Sequence, residues 1–159
     1  MQPYFLPYVG YYSLIASTDE WIVFDTPQFI RHGWIERNRV LNSSGEWQYI
    51  KVPLVKFPQK TPINKVQVRN QEKWREKILA QLVCYKRKAP NYPRIIELLK
   101  NAFDLECEDI TGWNVRLLEE TCNYLDIEFK YRIFSEMPEY RQIEAVHAGA
   151  WALEIAKAV

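Results

Sequence analysis

Cysteine is scarce in this sequence of 159 residues, and the three present, Cys84, Cys107 and Cys122, form no CxxC pair. That spacing argues against structural zinc and against a disulfide framework. Histidine is rarer still, with only His32 and His147. Neither stands beside a cysteine, so a nucleophile–base pair would have to be assembled by the fold. The five glycines include no GxGxxG and no Walker pattern, so the specific nucleotide motifs are absent. No stretch approaches the roughly 20 apolar residues of a membrane helix. Met1-Gln2-Pro3-Tyr4 has neither the positive start nor the apolar run of a secretory signal. No sign of charge dominates, since the formal net charge is +1, which removes the simplest case for a nucleic-acid binder. These absences lead to the expectation of a reduced, soluble, cytoplasmic domain with no metal or cofactor motif and no membrane contact.

What is present is a core-forming and aromatic-rich composition. Hydrophobic residues make up 48%, charged residues 26%, and aromatics 14%, including six Trp and ten Tyr. That is enough apolar material for one domain and too little charge for disorder. The neutral total conceals a division along the chain. Residues 1–50 carry 3 Lys+Arg against 5 Asp+Glu, residues 51–94 carry 12 against 2, and residues 95–159 carry 6 against 13. Either the basic and acidic thirds neutralise one another by packing, or the basic segment from Lys65 to Arg94 lines a groove for an anion.

The pattern predicts an α/β fold. Gln2 to Pro7 is extended, because each proline disfavours helix in the residue before it. Gly10 to Ser17 reads as a short helix with Leu14 and Ile15 inward. Trp21-Ile22-Val23-Phe24 reads as a strand buried on both faces. Together they predict a βαβ unit and a partly parallel sheet. Residues 34–41 and 46–52 flank Asn42-Ser43-Ser44-Gly45 and predict a β-hairpin. A short strand over Lys65–Arg69 follows. The rest is mostly helical: a stripe of Trp74, Ile78, Leu82 and Tyr85, then helices over Tyr92–Phe103 and Thr111–Leu125 with Thr111 as N-cap. A strand over Phe129–Phe134 and a helix from Glu139 onward complete the chain.

Four places are candidates for chemistry. The Pro7-Tyr8-Val9-Gly10 loop is either a proline-bounded turn with packed aromatics or a site before a helix N-terminus, where an anion is favoured and Gly10 permits close approach. Asp25 ends a buried strand, where it serves either as a general base, metal ligand or ribose contact, or as a cap on the turn at Pro27. Arg37 and Arg39 share a strand face by alternation; they either decorate a solvated strand or hold phosphate or carboxylate, with Trp34 available to stack on a ring. Lys86 belongs to the run Lys86-Arg87-Lys88, which either complements a helix dipole or binds phosphate. Ser135-Glu136, after the last predicted strand, is a helix-start signal or a ligand contact.

The opening Gln2-Pro3-Tyr4-Phe5-Leu6-Pro7-Tyr8-Val9-Gly10-Tyr11 resembles that of the WbqC-like family of bacterial proteins. The resemblance continues through Asp19, Phe24-Asp25, Gln28, Gly33-Trp34-Ile35, Arg37-Asn38-Arg39, Val52-Pro53-Leu54, Ile63-Asn64, Trp74, and Tyr85-Lys86 with Ala89-Pro90. It implies a single domain over 1–159 shortened at both ends, lacking part of the first strand and a C-terminal segment, and a setting in O-antigen and surface-polysaccharide synthesis. It implies a transferase modifying a nucleotide-linked or amino sugar by acyl- or aminoacyl-type transfer, without a cofactor. Asp25 would be the catalytic base. Tyr4, Tyr8, Gly10, Gln28, Trp34, Arg37, Asn38, Arg39, Tyr85 and Lys86 would bind the substrate, a nucleotide sugar or other anion. Thr26 stands where family members often carry a second Asp, which sets a paired-carboxylate mechanism aside. The alternatives are a non-catalytic module binding a sugar nucleotide or a protein partner, and adenylylation as in nucleotidyltransferase-type folds.

Overall fold

The computed structural model describes residues 1–138, 143 and 145–158. Its elements run α1 (Val9–Ala16), β1 (Trp21–Val23), β2 (Arg37–Leu41), β3 (Trp47–Lys51), α2 (Trp74–Leu82), α3 (Tyr92–Asp104), α4 (Ile110–Tyr124), β4 (Tyr131–Ile133) and α5 (Trp151–Ala158). The strands form two small sheets. β1 pairs parallel with β4, Trp21 opposite Tyr131 and Val23 opposite Ile133. β2 and β3 form the predicted antiparallel hairpin, Arg39 opposite Tyr49 and Leu41 opposite Trp47.

The α/β reading with a partly parallel sheet and a helical C-terminal half holds. The first extended segment is not a strand; its backbone bonds run through Met1 and through Phe5, whose N–H donates to the Trp34 carbonyl at 2.8 Å. Met1 donates to the Ile22 carbonyl at 2.7 Å and accepts from the Phe24 N–H at 2.8 Å, beside β1. Side chains tie the rest of the segment. Asn114 of α4, wholly buried, donates to the Pro3 and Ile35 carbonyls at 2.8 and 2.9 Å. The Tyr11 hydroxyl donates to the Gln2 carbonyl. Prolines 3 and 7 remove ladder donors, so side chains take over the work of a neighbouring strand.

Several boundaries differ from expectation. Tyr11, Tyr12 and Ile15 form the buried side of α1, while Leu14 is exposed. Lys65–Arg69 is no strand: Ile63–Lys65 is a 3-10 turn, and Gln67 and Val68 make isolated bridges to Asp109 and Leu54. The N-cap of α4 is Asp109, whose carboxylate accepts from the Gly112 N–H at 2.9 Å; Thr111 lies inside the first turn. An acceptor three residues before the free N–H is the geometry a cap needs, and Asp109 has it. The last helix begins at Trp151, after a 3-10 turn over Ala148–Ala150. His147 precedes that turn rather than lying in a helix. The predicted helix start at Glu139 falls outside the described residues.

The core has a large cluster under the hairpin and helices and a second beneath α1 and β1, with Tyr4 packed against both. Trp74, Phe103 and Trp113 meet edge to face, with centroids 5.1 to 6.1 Å apart. Such pairs contribute about 0.5–1.5 kcal/mol each beyond area burial. Among the described residues, Arg75–Glu106, at 3.3 Å, is the one ion pair that joins the basic middle of the chain to its acidic last third. Direct pairing between the two segments is therefore slight among the described residues.

Candidate functional site

β1 and β4 run parallel and end side by side, so the residues that follow them meet. Asp25, two residues past β1, is 1% exposed. Its Oδ1 accepts the Ser135 N–H at 3.1 Å and its Oδ2 the Ser135 hydroxyl at 2.6 Å. Ser135 lies two residues past β4. This is the crevice at strand carboxyl ends where open α/β sheets place ligands. Burial pushes the Asp25 carboxyl above its usual range, the Ser135 bonds pull it back, and the nearby Asp109 raises it further.

A cleft of about 580 Å3 opens beside Asp25. Asp109 and Glu136 add carboxylates to its wall, and Lys65 adds one cation. Its balance is acidic, so the segment from Lys65 does not make it an anion groove. Two side-chain atoms in the lining are buried and lack a hydrogen-bond partner, Thr111 Oγ1 and Asn64 Oδ1. Thr111 is 4% exposed. Buried polar groups without partners are uncommon in folded proteins, and a ligand supplying hydroxyl or amino groups would satisfy these.

A second cleft, of about 510 Å3, lies between the N-terminal loop and the hairpin and shares no lining residue with the first. Arg39 stands in it, its guanidinium carbon 5.3 Å from the Trp34 ring centroid and 5.4 Å from that of Trp47. Tyr4 and Tyr8 complete the aromatic wall. Asn38 holds the loop in place: its amide donates to the Phe5 and Leu6 carbonyls, and its Oδ1 accepts from the Arg39 N–H at 2.7 Å. Leu6 has φ +44, a conformation costly for a branched side chain, and the Asn38 bond helps to fix it.

The profile of the WbqC-like protein family matches residues 2–159. The chain belongs to the WbqC-like family. It is 30% identical over 131 residues to "Uncharacterized protein Rv1507c" of Mycobacterium tuberculosis (strain ATCC 25618 / H37Rv). That match covers 80% of this chain and 55% of the relative, so the chain spans about half the length of the curated relative it matches. No solved structure matches.

The remaining residues that the WbqC-like pattern marked are scattered. Arg37 is turned to structural work, donating to the His32 carbonyl and lying 4.3 Å over the Tyr49 ring. It does not line the Arg39 cleft. Gly10 sits under Tyr8: a Cβ there would come within 2.4 Å of the tyrosine ring. The Gln28 amide donates to the Gln59 carbonyl at 3.0 Å. The Tyr85 hydroxyl accepts the Leu41 N–H at 2.7 Å, joining the end of β2 to the turn after α2. Lys86 is exposed on that turn. Cys122 is buried and its thiol is pushed up to about 11, which makes it unreactive. Among the described residues no cluster of His, Cys, Asp or Glu is placed to hold a metal ion, and no helix is long and apolar enough to cross a membrane.

Sequence reasoning missed Trp47, Asn64 and Thr111 as wall residues. Trp47 had a usable signal, since pairing across Asn42–Gly45 puts it on the Arg37 and Arg39 face. Asn64 and Thr111 had none, because they reach the cleft through long-range packing of a 3-10 turn and a helix start.

Proposed function

We propose that this WbqC-like chain works in the cytoplasm as a transferase that moves an acyl- or aminoacyl-type group onto a hydroxyl or amino group of a sugar, in surface-polysaccharide synthesis. The observation that carries this reading is the Asp25 carboxylate, buried with a raised pKa at paired strand ends beside a polar cleft. A carboxylate so placed is a stronger base than one in water. The acidic wall suits hydroxyl and ammonium donors better than phosphate.

In the proposed step, Asp25 takes the proton of the acceptor O–H or N–H as its lone pair attacks the carbonyl carbon of an activated acyl donor. The electron pair of the C=O moves onto oxygen, and the unpartnered Thr111 hydroxyl donates to that oxyanion. When the C=O re-forms, the leaving group departs and Asp25 returns the proton to it. Lys65, at the rim, would face the donor's charge.

A second reading has its own support. Both Asp25 oxygens already accept from Ser135, so the pair also serves as a latch between β1 and β4. Under that reading the chain is a non-catalytic sugar-nucleotide or partner binding module. The deciding experiment incubates the protein with amino sugars, nucleotide sugars and activated acyl donors and reads products by mass spectrometry. Transfer that falls about a hundredfold or more in Asp25→Asn supports the base. Ligand binding without product, unchanged in Asp25→Asn, supports the module.

A further inference from the structure

The Arg39 cleft presents an unusual combination of exposed groups. Trp34, Trp47 and Tyr8 are 42, 67 and 69% exposed, and all three border one concavity. Single exposed aromatics need no explanation, but several around one cleft mark a binding site. The Arg39 guanidinium makes no hydrogen bond or ion pair among the described residues, and its ring contacts are the two tryptophans. Asn38 is committed to the Phe5 and Leu6 carbonyls and to Arg39 N–H. No carboxylate lines the cleft. What it offers a ligand is therefore π-faces and one cation. It has no side-chain acceptor comparable to Asp25, Asp109 and Asn64 of the other cleft, so it is poorly equipped to read sugar hydroxyls.

We infer that the cleft formed by Tyr8, Trp34, Arg39 and Trp47 binds a nucleoside phosphate, the base stacking on the tryptophan faces and the phosphate taken by Arg39. Base stacking on aromatic side chains is tolerant of base identity, and guanidinium matches phosphate in a bidentate way. A single arginine in a cleft of about 510 Å3 fits one mononucleotide. A single-stranded nucleic acid needs a track of cations and successive rings instead. The inference stands apart from the transferase reading, because the two clefts share no lining residue.

The test titrates uridine and adenosine diphosphates into the protein, with calorimetry and tryptophan fluorescence as readouts. Trp21, Trp74 and Trp113 are buried, and Trp151, half-buried against Phe24 and Phe134, does not line the cleft, so quenching by a stacked base reports mainly on Trp34 and Trp47. Both diphosphates should bind saturably at micromolar to millimolar concentration, and more weakly as salt rises. Trp47→Ala and Arg39→Gln should each weaken binding about tenfold, Trp47→Phe should retain it, and Asp25→Asn should leave it unchanged. Trp47 and Arg39 are exposed, and circular dichroism checks that the variants fold; the comparison of Trp47→Phe with Trp47→Leu gives the same information should the alanine variant unfold. The inference is overturned by no saturable binding of either diphosphate, or by binding unaltered in Trp47→Ala and Arg39→Gln. It is equally overturned where inorganic pyrophosphate binds as tightly as the diphosphates, or where a single-stranded oligonucleotide binds far more tightly than both. Loss of binding in Asp25→Asn would overturn the separation of the clefts.

Discussion

Ser135 directs both of its hydrogen-bond donors at Asp25, the backbone N–H to one carboxylate oxygen and the hydroxyl to the other. The two residues are 110 apart in sequence and meet because β1 and β4 lie parallel in register. One contact therefore sets two properties. It closes the small sheet at its carboxyl end, and it holds a buried carboxylate in fixed orientation beside the acidic cleft. Desolvation raises the Asp25 pKa while the two bonds lower it, so the charge of this group is adjustable by changes at Ser135.

The stability of the protein should carry the signature of that raised pKa. A carboxyl whose folded-state pKa exceeds its unfolded value of 3.8 binds its proton more tightly when folded. Its contribution is fully present below the unfolded pKa and is lost as pH rises through the folded pKa. The unfolding free energy of the wild type minus that of Asp25→Asn should accordingly increase as pH falls from neutral toward about 4. Glu36, also raised by burial, is present in both proteins and cancels in the difference. Urea unfolding at a series of pH values measures it, and a difference that is flat or of opposite slope refutes the raised pKa.

Removing the Ser135 hydroxyl should move the same property further. In Ser135→Ala the backbone N–H bond survives and the hydroxyl bond is lost, so the Asp25 pKa rises again. The cost at neutral pH should be about 2 kcal/mol, the range for a hydrogen bond to a charged group, and smaller in acid. Under the transferase reading, the acid limb of the rate profile should shift to higher pH than in the wild type. A pH–rate profile with an unmoved acid limb would show that Asp25 is not the titrating base.

Much of this was legible in the residues, and the limits are instructive. Trp21-Ile22-Val23 announced a buried strand because its β-favouring apolar run has a sharp stop at Asp25, and the hairpin followed from its turn cluster. The stripe of Trp74, Ile78 and Leu82 gives α2 by period, while its last member, Tyr85, lies in the 3-10 turn that follows. The two clefts were harder. Asp25 and Arg39 both stood out by residue type, but alternation cannot tell which sheet a strand joins, so one site was expected where two separate clefts exist. Arg37 shares the face of Arg39 as expected, yet its guanidinium is taken by the His32 carbonyl and Tyr49. Ring packing and carbonyl acceptors near the hairpin decided that, and neither is written in local pattern. Asn64 and Thr111 reach the Asp25 cleft only because Gln67 bridges Asp109 and Ile110 donates to Val66, contacts more than forty residues apart in sequence.

Asn114 offers a test of how the N-terminal segment is held. Its amide supplies the donors that the Pro3 and Ile35 carbonyls would otherwise lack in the interior. Asn114→Ala should destabilise the protein by about 2–4 kcal/mol, combining two unsatisfied buried acceptors with a small cavity. Hydrogen exchange should show protection falling at Phe5, whose N–H donates to the Trp34 carbonyl, before it falls in α3. Uniform loss across both would mean that the segment is not held locally by Asn114.

The end of α4 carries strain that is open to relief. The Ile127 N–H donates to the Cys122 carbonyl at 2.9 Å and the Asp126 N–H to the Asn123 carbonyl at 3.3 Å, the two bonds of a Schellman motif. Asp126 sits at the left-handed position with φ +56, which glycine adopts without steric cost. It is exposed and makes no ion pair among the described residues, so little is lost by removing its carboxylate. Its charge also lies at the negative end of the helix dipole, where it is unfavourable. Asp126→Gly should stabilise the protein by about 0.5–1 kcal/mol after allowing for the greater freedom of glycine in the unfolded chain. Asp126→Val should destabilise it, since a β-branched side chain at positive φ is strained. Thermal unfolding of the two variants against the wild type decides it, and a lower melting temperature for the glycine variant would show that the carboxylate contributes more than the strain costs.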